Sequence, residues 1–355
     1  MSNTAWETLS NQAVAMAGLV YFIALLVHLA EWAALRQPAG ELVAAGVGDG
    51  SGKGLETVAS QPPRPASETG ERIAFLGRLG FLLTIVACAV HFVALLGRGM
   101  AADPNRVPWG NMYEFTVSGT FVVTLLYVVL HKRFGLGWMG PIVVGFVLTV
   151  LMVAVIWLHD EVAPLTEALN SPWLVIHVVS AVIATGTFTL GGIASLMYLV
   201  RMRAERRAAA GERELSGWIA RTPDLPALDR LAYRVHAFAF PVWTFAVLIT
   251  GPIWAHEAWS RYWNWDPKEV WAFITWVVYA GYLHARATAG WKGRKAAQLA
   301  LVGVATLWFN FIGINYFSTT SQHSYAVEQF IDAPPAAVQL PNLLLSEPGH
   351  DEFGS

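Results

Sequence analysis

Eight stretches of this chain stay apolar for about 20 residues, the length an α-helix needs to cross roughly 30 Å of hydrocarbon, and this constrains its fold more than any other feature. Their approximate limits are 12–35, 73–97, 114–131, 139–158, 173–200, 234–255, 270–288 and 297–315. The expected fold is all-α: a polytopic integral membrane helical bundle of about eight transmembrane helices. Composition agrees, because 55% of the 355 residues are apolar and 14% are charged, against about 25% charged in ordinary soluble domains. With 23 basic and 25 acidic residues the chain lacks the electrostatic footprint of a nucleic-acid binder. Its single cysteine, Cys88, sits inside an apolar run, which excludes a disulfide framework, a thiolate zinc cluster and a self-contained C-x-x-C-H attachment site.

Lys and Arg collect in cytoplasmic loops, so their placement predicts orientation. All 23 except Arg98, Arg106, Arg261 and Lys268 fall in the connections after the first, third, fifth and seventh helices, with Arg78 just inside the second. Both termini are therefore expected on the outer side, with the loops after helices 2, 4 and 6. The first helix, spanning 1–36 with its flanks, has no small-residue cleavage pattern and carries Glu31 and Trp32 near its end, which reads as a retained helix. Residues 37–72 have the Gly, Pro, Ala and Ser content of a flexible cytoplasmic linker, with Pro62, Pro63 and Pro65 clustered. A membrane core over 73–325 and an outer C-terminal tail over 326–355 complete the expected organisation. The run Arg201, Arg203, Arg206 and Arg207 reads as a topological anchor.

Six of the 16 tryptophans crowd into residues 254–276: Trp254, Trp259, Trp263, Trp265, Trp271 and Trp276. An interfacial aromatic belt would be spread over all the helix ends rather than heaped into one outer loop. A shelf of flat, apolar, weakly polar-tipped rings is instead the surface a flat aromatic ligand needs. Within it, Asp266-Pro267-Lys268-Glu269 has the form of a helix start, with Asp at the N-cap, Pro at the first position and Glu as capping-box partner. Such a cap makes the outer edge of the seventh helix rigid and steadies the tryptophans before it.

An aromatic shelf becomes a metalloporphyrin site only if axial ligands stand nearby, and imidazole is the commonest. Of ten histidines, His131 beside Lys132, His159 before Asp160, and His350 in the tail read as solvated. His177 follows Trp173 by one helical turn at the outer end of the fifth helix, and His323 lies eight residues past the last helix. Both reach the face that displays the tryptophans. His284 lies 14 positions beyond Val270, roughly 21 Å deeper at 1.5 Å per residue, and cannot join them around one iron. It is a functional candidate as an ionisable side chain in a membrane helix, or a cap for the last carbonyls of that helix. His28 and His236 fall at a similar inner depth, and either could stand opposite His284. His91, further out, lines a path or satisfies a backbone carbonyl.

The string Trp254-Ala255-His256-Glu257-Ala258-Trp259, then Tyr262-Trp263-Asn264-Trp265-Asp266-Pro267-Lys268-Glu269, Trp271, and Tyr282-Leu283-His284-Ala285-Arg286 closely resembles the WWD signature of the ResC or CcsA cytochrome c biogenesis proteins of the System II pathway. The resemblance extends to Trp109-Gly110-Asn111-Met112-Tyr113-Glu114, to Ser171-Pro172-Trp173-Leu174-Val175-Ile176-His177, and to His323-Ser324-Tyr325. It implies a haem-handling membrane core that carries haem b outward in the cytoplasmic membrane of a bacterium. There, with a ResB-type partner, it supports thioether attachment to the C-x-x-C-H motif of apocytochrome c, and a thioredoxin-like thiol reductant is a further implied partner. By matching motifs, His177 and His323 look like the two outer axial ligands, beside Trp254, Trp259, Trp263, Trp265, Asp266 and Trp271. His284 looks like one ligand of an inner haem whose second ligand comes from the partner, which returns His28 and His236 to structural roles. The Tyr-Arg of the family stands here as Tyr233-Arg234, whereas His236 and His256 fall where the family has no ligand.

On this reading the chain is a component of a haem lyase complex with no nucleophile or general acid-base residue of its own. The chemistry resides in the cofactor and the thiols, and the protein contributes orientation. Arg261 and Lys268 are placed to pair with haem propionates or with the apocytochrome. The alternative is a di-haem membrane electron-transfer protein acting on quinone, which would take both ligands of each haem from helices of one chain. A small-solute transporter would need buried acids at mid-membrane, and Glu31 and Glu114 both lie near helix ends.

Overall fold

The computed structural model of the protein describes residues 1–35, 68–162 and 170–317. Among these, every regular element is helical. The long helices are α1 (Asn3–Ala34), α2 (Glu68–Ala101), α3 (Met112–Phe134), α4 (Gly140–Trp157), α5 (Pro172–Ala209), α7 (Leu225–Thr244), α9 (Pro267–Ala287) and α10 (Arg294–Trp308). Shorter pieces are α6 (Gly217–Arg221), α8 (Gly251–Trp259) and α11 (Ile314–Phe317). Seven helical segments are long and apolar enough to cross a membrane, counting α7 and α8 as one continuous rod, Leu225–Trp259. The eighth expected segment is α9, whose 21 residues reach about 31 Å but carry Lys268, Glu269, His284 and Arg286 near their ends. Of the expected linker 37–72, residues 68–72 already belong to α2, because the helix extends N-terminally beyond the hydropathy limit of its apolar run, and the rest lies outside the described residues, as do His323 and the tail with His350.

Local sequence explains where helices start and stop. Asn111 caps α3 by accepting from the Glu114 N–H at 2.9 Å, and Gly135 ends the same helix in the left-handed region (φ 62°). Ser171, Asp224 and Asp266 cap α5, α7 and α9, each with a proline in the first turn, where the missing N–H is no loss. One proline acts differently. Pro252 cannot donate to the carbonyl four residues back and its ring crowds that carbonyl; immediately before it, Phe245–Thr250 widens into a π-helix. A second π-helix, Phe309–Gly313, follows α10.

The helices run alternately up and down. At one end the start of α1, the end of α2 and the start of α3 meet through ion pairs of Arg98 with Glu7 and Glu114. The other end is closed by Arg221 with Glu31, by Trp218 stacked on Trp32 (4.5 Å, 7°) and by Arg286 with Asp229 at 2.7 Å. The short helix α6, which hydropathy does not signal, supplies Trp218 and Arg221. Helix α5 is shared by two cores: Leu190 and Ala194 face Tyr21, Tyr127 and Leu151, while Ala184 and Phe188 face Trp243, Tyr279 and Leu307. In the first core His28 is fully buried against Gly80 and Gly140, where an added Cβ would approach the ring to 2.7 and 2.6 Å. Only glycine admits the imidazole there.

His131, expected in solvent, is partly buried: its ring stacks on Phe81 (3.7 Å, 19°) and meets Tyr127 edge-on. An imidazole at a helix end has an apolar body, and α2 and α3 pack closely enough to cover it. His159 is exposed as expected, its ring against Tyr113.

Glu114 is the best-satisfied charge in the bundle. Its fully buried carboxylate accepts from Arg98 Nε at 2.9 Å, Arg106 Nη1 at 2.6 Å and the Gly110 N–H at 2.7 Å. Glu114→Ala leaves guanidinium groups without their buried counter-ion, at an expected destabilisation of about 3–5 kcal/mol. Thermal unfolding in detergent checks this, and an unchanged midpoint would show that the network contributes nothing.

Candidate functional site

The end of the bundle that carries the Arg98–Glu114 pair also holds the tryptophan cluster and a large cavity. Its empty space, counted out into the open mouth, is about 1190 Å³, and its walls come from the start of α3, the first half of α5, both π-helical regions, α8 and the start of α9. Phe115 and Phe311 stack across one side (5.0 Å, 30°).

His177 projects from α5 onto this cavity, half-buried. Its Nδ1 lies 2.9 Å from the carbonyl oxygen of Ala246 in the first π-helix. A carbonyl can only accept, so Nδ1 carries the proton and the metal-ligating lone pair of the neutral ring belongs to Nε2. The ring is parallel to the indole of Trp254 (5.8 Å, 14°). Gly251, opposite, leaves it room: a Cβ there would sit 3.2 Å from the imidazole and 3.0 Å from the Ala246 oxygen. Among the described residues no three His, Cys, Asp or Glu side chains group as metal ligands. The cavity thus presents one oriented imidazole among aromatic walls.

The structure sorts the expected tryptophans. Trp254 and Trp263 line the cavity. Trp259 stands behind Trp254 (4.9 Å, 63°), and Trp265 meets Trp263 edge-on but is 70% exposed. Trp271 packs outside the cavity on Phe309 (4.2 Å), and the Trp276 indole N–H donates to Thr244 Oγ1 at 3.0 Å. Asp266 acts as expected from the sequence, accepting from the Lys268 N–H at 2.9 Å while Glu269 accepts from the Asn264 and Asp266 N–H groups. The capping box thus ties down the loop that carries Trp263 and Trp265. Lys268 lines the cavity, and its Nζ donates to Asn315 Oδ1 at 2.9 Å.

Other histidines stay apart from this group. His284 is exposed near the far end of α9, 16 residues beyond Lys268, or about 24 Å along the helix. His236 is enclosed by Phe188, Tyr279 and Tyr282, and His28 is sealed between glycines, so both are interior groups while His284 faces outward. His91 is fully buried, with Nδ1 3.3 Å from the Tyr21 hydroxyl. His256 is exposed and stacked on Tyr262 (4.3 Å). Sequence reasoning missed Trp243, Asn310 and Phe311 as cavity walls. Their immediate neighbours along the chain are almost all apolar, which hides the face that matters.

Strain marks the loop above the cavity. Ser260 (φ 58°) and Trp265 (φ 55°) both adopt left-handed backbone, which costs a non-glycine residue roughly 1–2 kcal/mol. Ser260→Gly should therefore stabilise the protein by about 1 kcal/mol, read as a higher thermal midpoint in detergent; a lower midpoint would show that the serine side chain contributes more than the strain costs.

Residues 109–321, which include the cavity walls from Trp109 to Phe311, match the family model described as cytochrome C assembly protein. The cytochrome c biogenesis protein CcsA of Guillardia theta is 33% identical over 260 residues, covering 70% of this chain and 85% of that one. CcsA of Synechococcus elongatus is 32% identical over 271 residues, covering 65% and 82%. Among solved structures, the cytochrome c heme lyase CcmF superposes with a TM-score of 0.53 at 15% identity, over 88% of this chain and 49% of that one. That likeness shows a shared fold, and this chain spans about half the length of that protein. A family match over more than half of the chain, together with relatives of this similarity and coverage, shows that it belongs to the cytochrome c assembly protein family, as a CcsA/ResC-type member.

Proposed function

We propose that the aromatic cavity is where this membrane haem-handling component of cytochrome c maturation presents haem b to apocytochrome c, with His177 as one axial ligand. The observation that carries the reading is the His177–Ala246 hydrogen bond, which leaves the ring's lone pair on Nε2 beside an open, aromatic-walled cavity. The residues present fit the group in two further respects. Trp254 lies parallel to the imidazole, and buried polar atoms without partners border the space, namely the indole nitrogens of Trp109 and Trp263 and the Asn310 Oδ1. His323, eight residues past the last expected span, is proposed as the second outer ligand.

The far end of α9 carries a separate proposal. His284 is exposed on the bundle surface, which suits a ligand completed by a ResB-type partner and not by His28 or His236. Haem would then enter at the His284 end and leave at the tryptophan end, facing the outer side of a bacterial cytoplasmic membrane. A thioredoxin-like protein would keep the substrate thiols reduced.

Bound haem supplies two vinyl groups, and each takes a cysteine sulfur on one carbon and that thiol's proton on the other. The chain's part is positional. His177 fixes the ring's distance and tilt, Trp254 and Trp263 hold the apolar faces and exclude water, and the Asp266 capping box keeps that wall in place. Exchange of one axial imidazole for the histidine of the C-x-x-C-H motif would release the product.

Purification with the ResB-type partner, followed by reduced-minus-oxidised absorption, tests the assignment. A His177→Ala and His323→Ala double variant should lose the bis-imidazole bands of the outer site, and His284→Ala should lose those of the inner site and lower cytochrome c maturation at least about tenfold. Unchanged bands in the double variant would remove His177 from the coordination sphere.

A further inference from the structure

Stacking and one imidazole explain how the cavity takes the faces of a macrocycle, but not what its polar edge meets. Two tryptophans that line this cavity, Trp109 before α3 and Trp263 in the α8–α9 loop, each keep a buried indole N–H with no acceptor among the described residues. Nearby indoles behave differently: Trp243 donates to the Ala272 carbonyl and Trp276 to Thr244. A buried donor without a partner is rare and unfavourable, so such groups call for an explanation. Carboxylates that could serve nearby are already committed. Glu114 is taken by Arg98, Arg106 and the Gly110 N–H, and Glu269 by the N–H groups of Asn264 and Asp266.

Among the described residues these two donors therefore lack acceptors, and a ligand that carries acceptors would satisfy them. We propose that Trp109 and Trp263 form a carboxylate subsite, in which their indole N–H groups donate to the propionates of the bound tetrapyrrole. This rests on the haem reading above and adds to it the edge by which the ring is held. The two tryptophans stand on different walls, one in the segment locked by Glu114 and the other in the loop tied down by the Asp266 capping box. Each N–H is thus presented by a rigid element, and together they would set the rotation of the ring in its own plane. Lys268, bonded to Asn315, adds positive charge to the same cavity. The third orphan there, Asn310 Oδ1, is an acceptor and is not explained by a carboxylate.

The test compares ferric protoporphyrin IX with its dimethyl ester, which keeps the ring and the iron and loses both negative charges. Both are titrated into the purified full chain with its partner, followed by absorption. Wild type should bind the free acid at least about tenfold more tightly than the ester, the worth of one hydrogen bond to a carboxylate. The double variant Trp109→Phe with Trp263→Phe keeps two aromatic rings and removes both N–H groups, and its preference should fall to within about twofold. Comparing preferences between wild type and variant cancels the ester's greater partition into detergent. A variant that retains the wild-type preference overturns the proposal, as does a wild type with no preference, which needs no variant to be folded. If wild type binds neither compound, the haem reading fails first and takes the subsite with it.

Discussion

One hydrogen bond, from His177 Nδ1 to the Ala246 carbonyl, decides what the cavity can do. A free imidazole can offer either nitrogen and rotates about two bonds; this one has its tautomer and its plane set together. The acceptor comes from a stretch of helix that Pro252 prevents from being regular, and Gly251 beside it supplies the clearance. A regular α-helix over the same residues would turn its carbonyls to a different register relative to α5. Irregular backbone at membrane depth is tolerated only where it is buried in protein or lines a cavity, and both π-helices meet that condition.

The site lies at the end of the bundle because polar anchors are affordable there. Glu114 with its two arginines fixes the segment that carries Trp109, and the Asp266–Glu269 capping box fixes the loop that carries Trp263. Glu114 is not among the cavity-lining residues, whereas Glu269 forms part of the wall itself. They hold aromatic walls whose own contacts are non-directional and would otherwise slide. The left-handed backbone of Ser260 and Trp265 fits the same pattern, in which a loop accepts local strain because capped helices on both sides determine its course. The opposite end is organised around different pairs, Arg286 with Asp229 and Arg221 with Glu31. His284 is exposed there, separated from the cavity end by most of the length of α9.

Hydropathy and charge made the bundle and its alternation legible before any coordinates, because apolar length and loop cations act residue by residue and need no knowledge of neighbours. The tryptophan heap and the Asp266-Pro267-Lys268-Glu269 cap were legible for the same reason: composition and capping are local. Separation along one helix was legible too, since 1.5 Å per residue places His284 far from Lys268 whatever the packing. Rotation about each helix axis was not. Where neighbours along the chain are nearly all apolar, no pattern says which face turns inward, so Trp243, Phe311 and Asn310 look like any other apolar-run residue, and His131 reads as solvated although Phe81 covers it. Which of His28 and His236 could oppose His284 was equally hidden, and the fold answers that both are interior. What the sequence determined by itself was the existence and order of the long apolar helices and the residues that cap several of their starts. Only the tertiary structure decided which groups converge, because convergence depends on helix rotation and on two local widenings of the backbone that arise where helices pack together around a space.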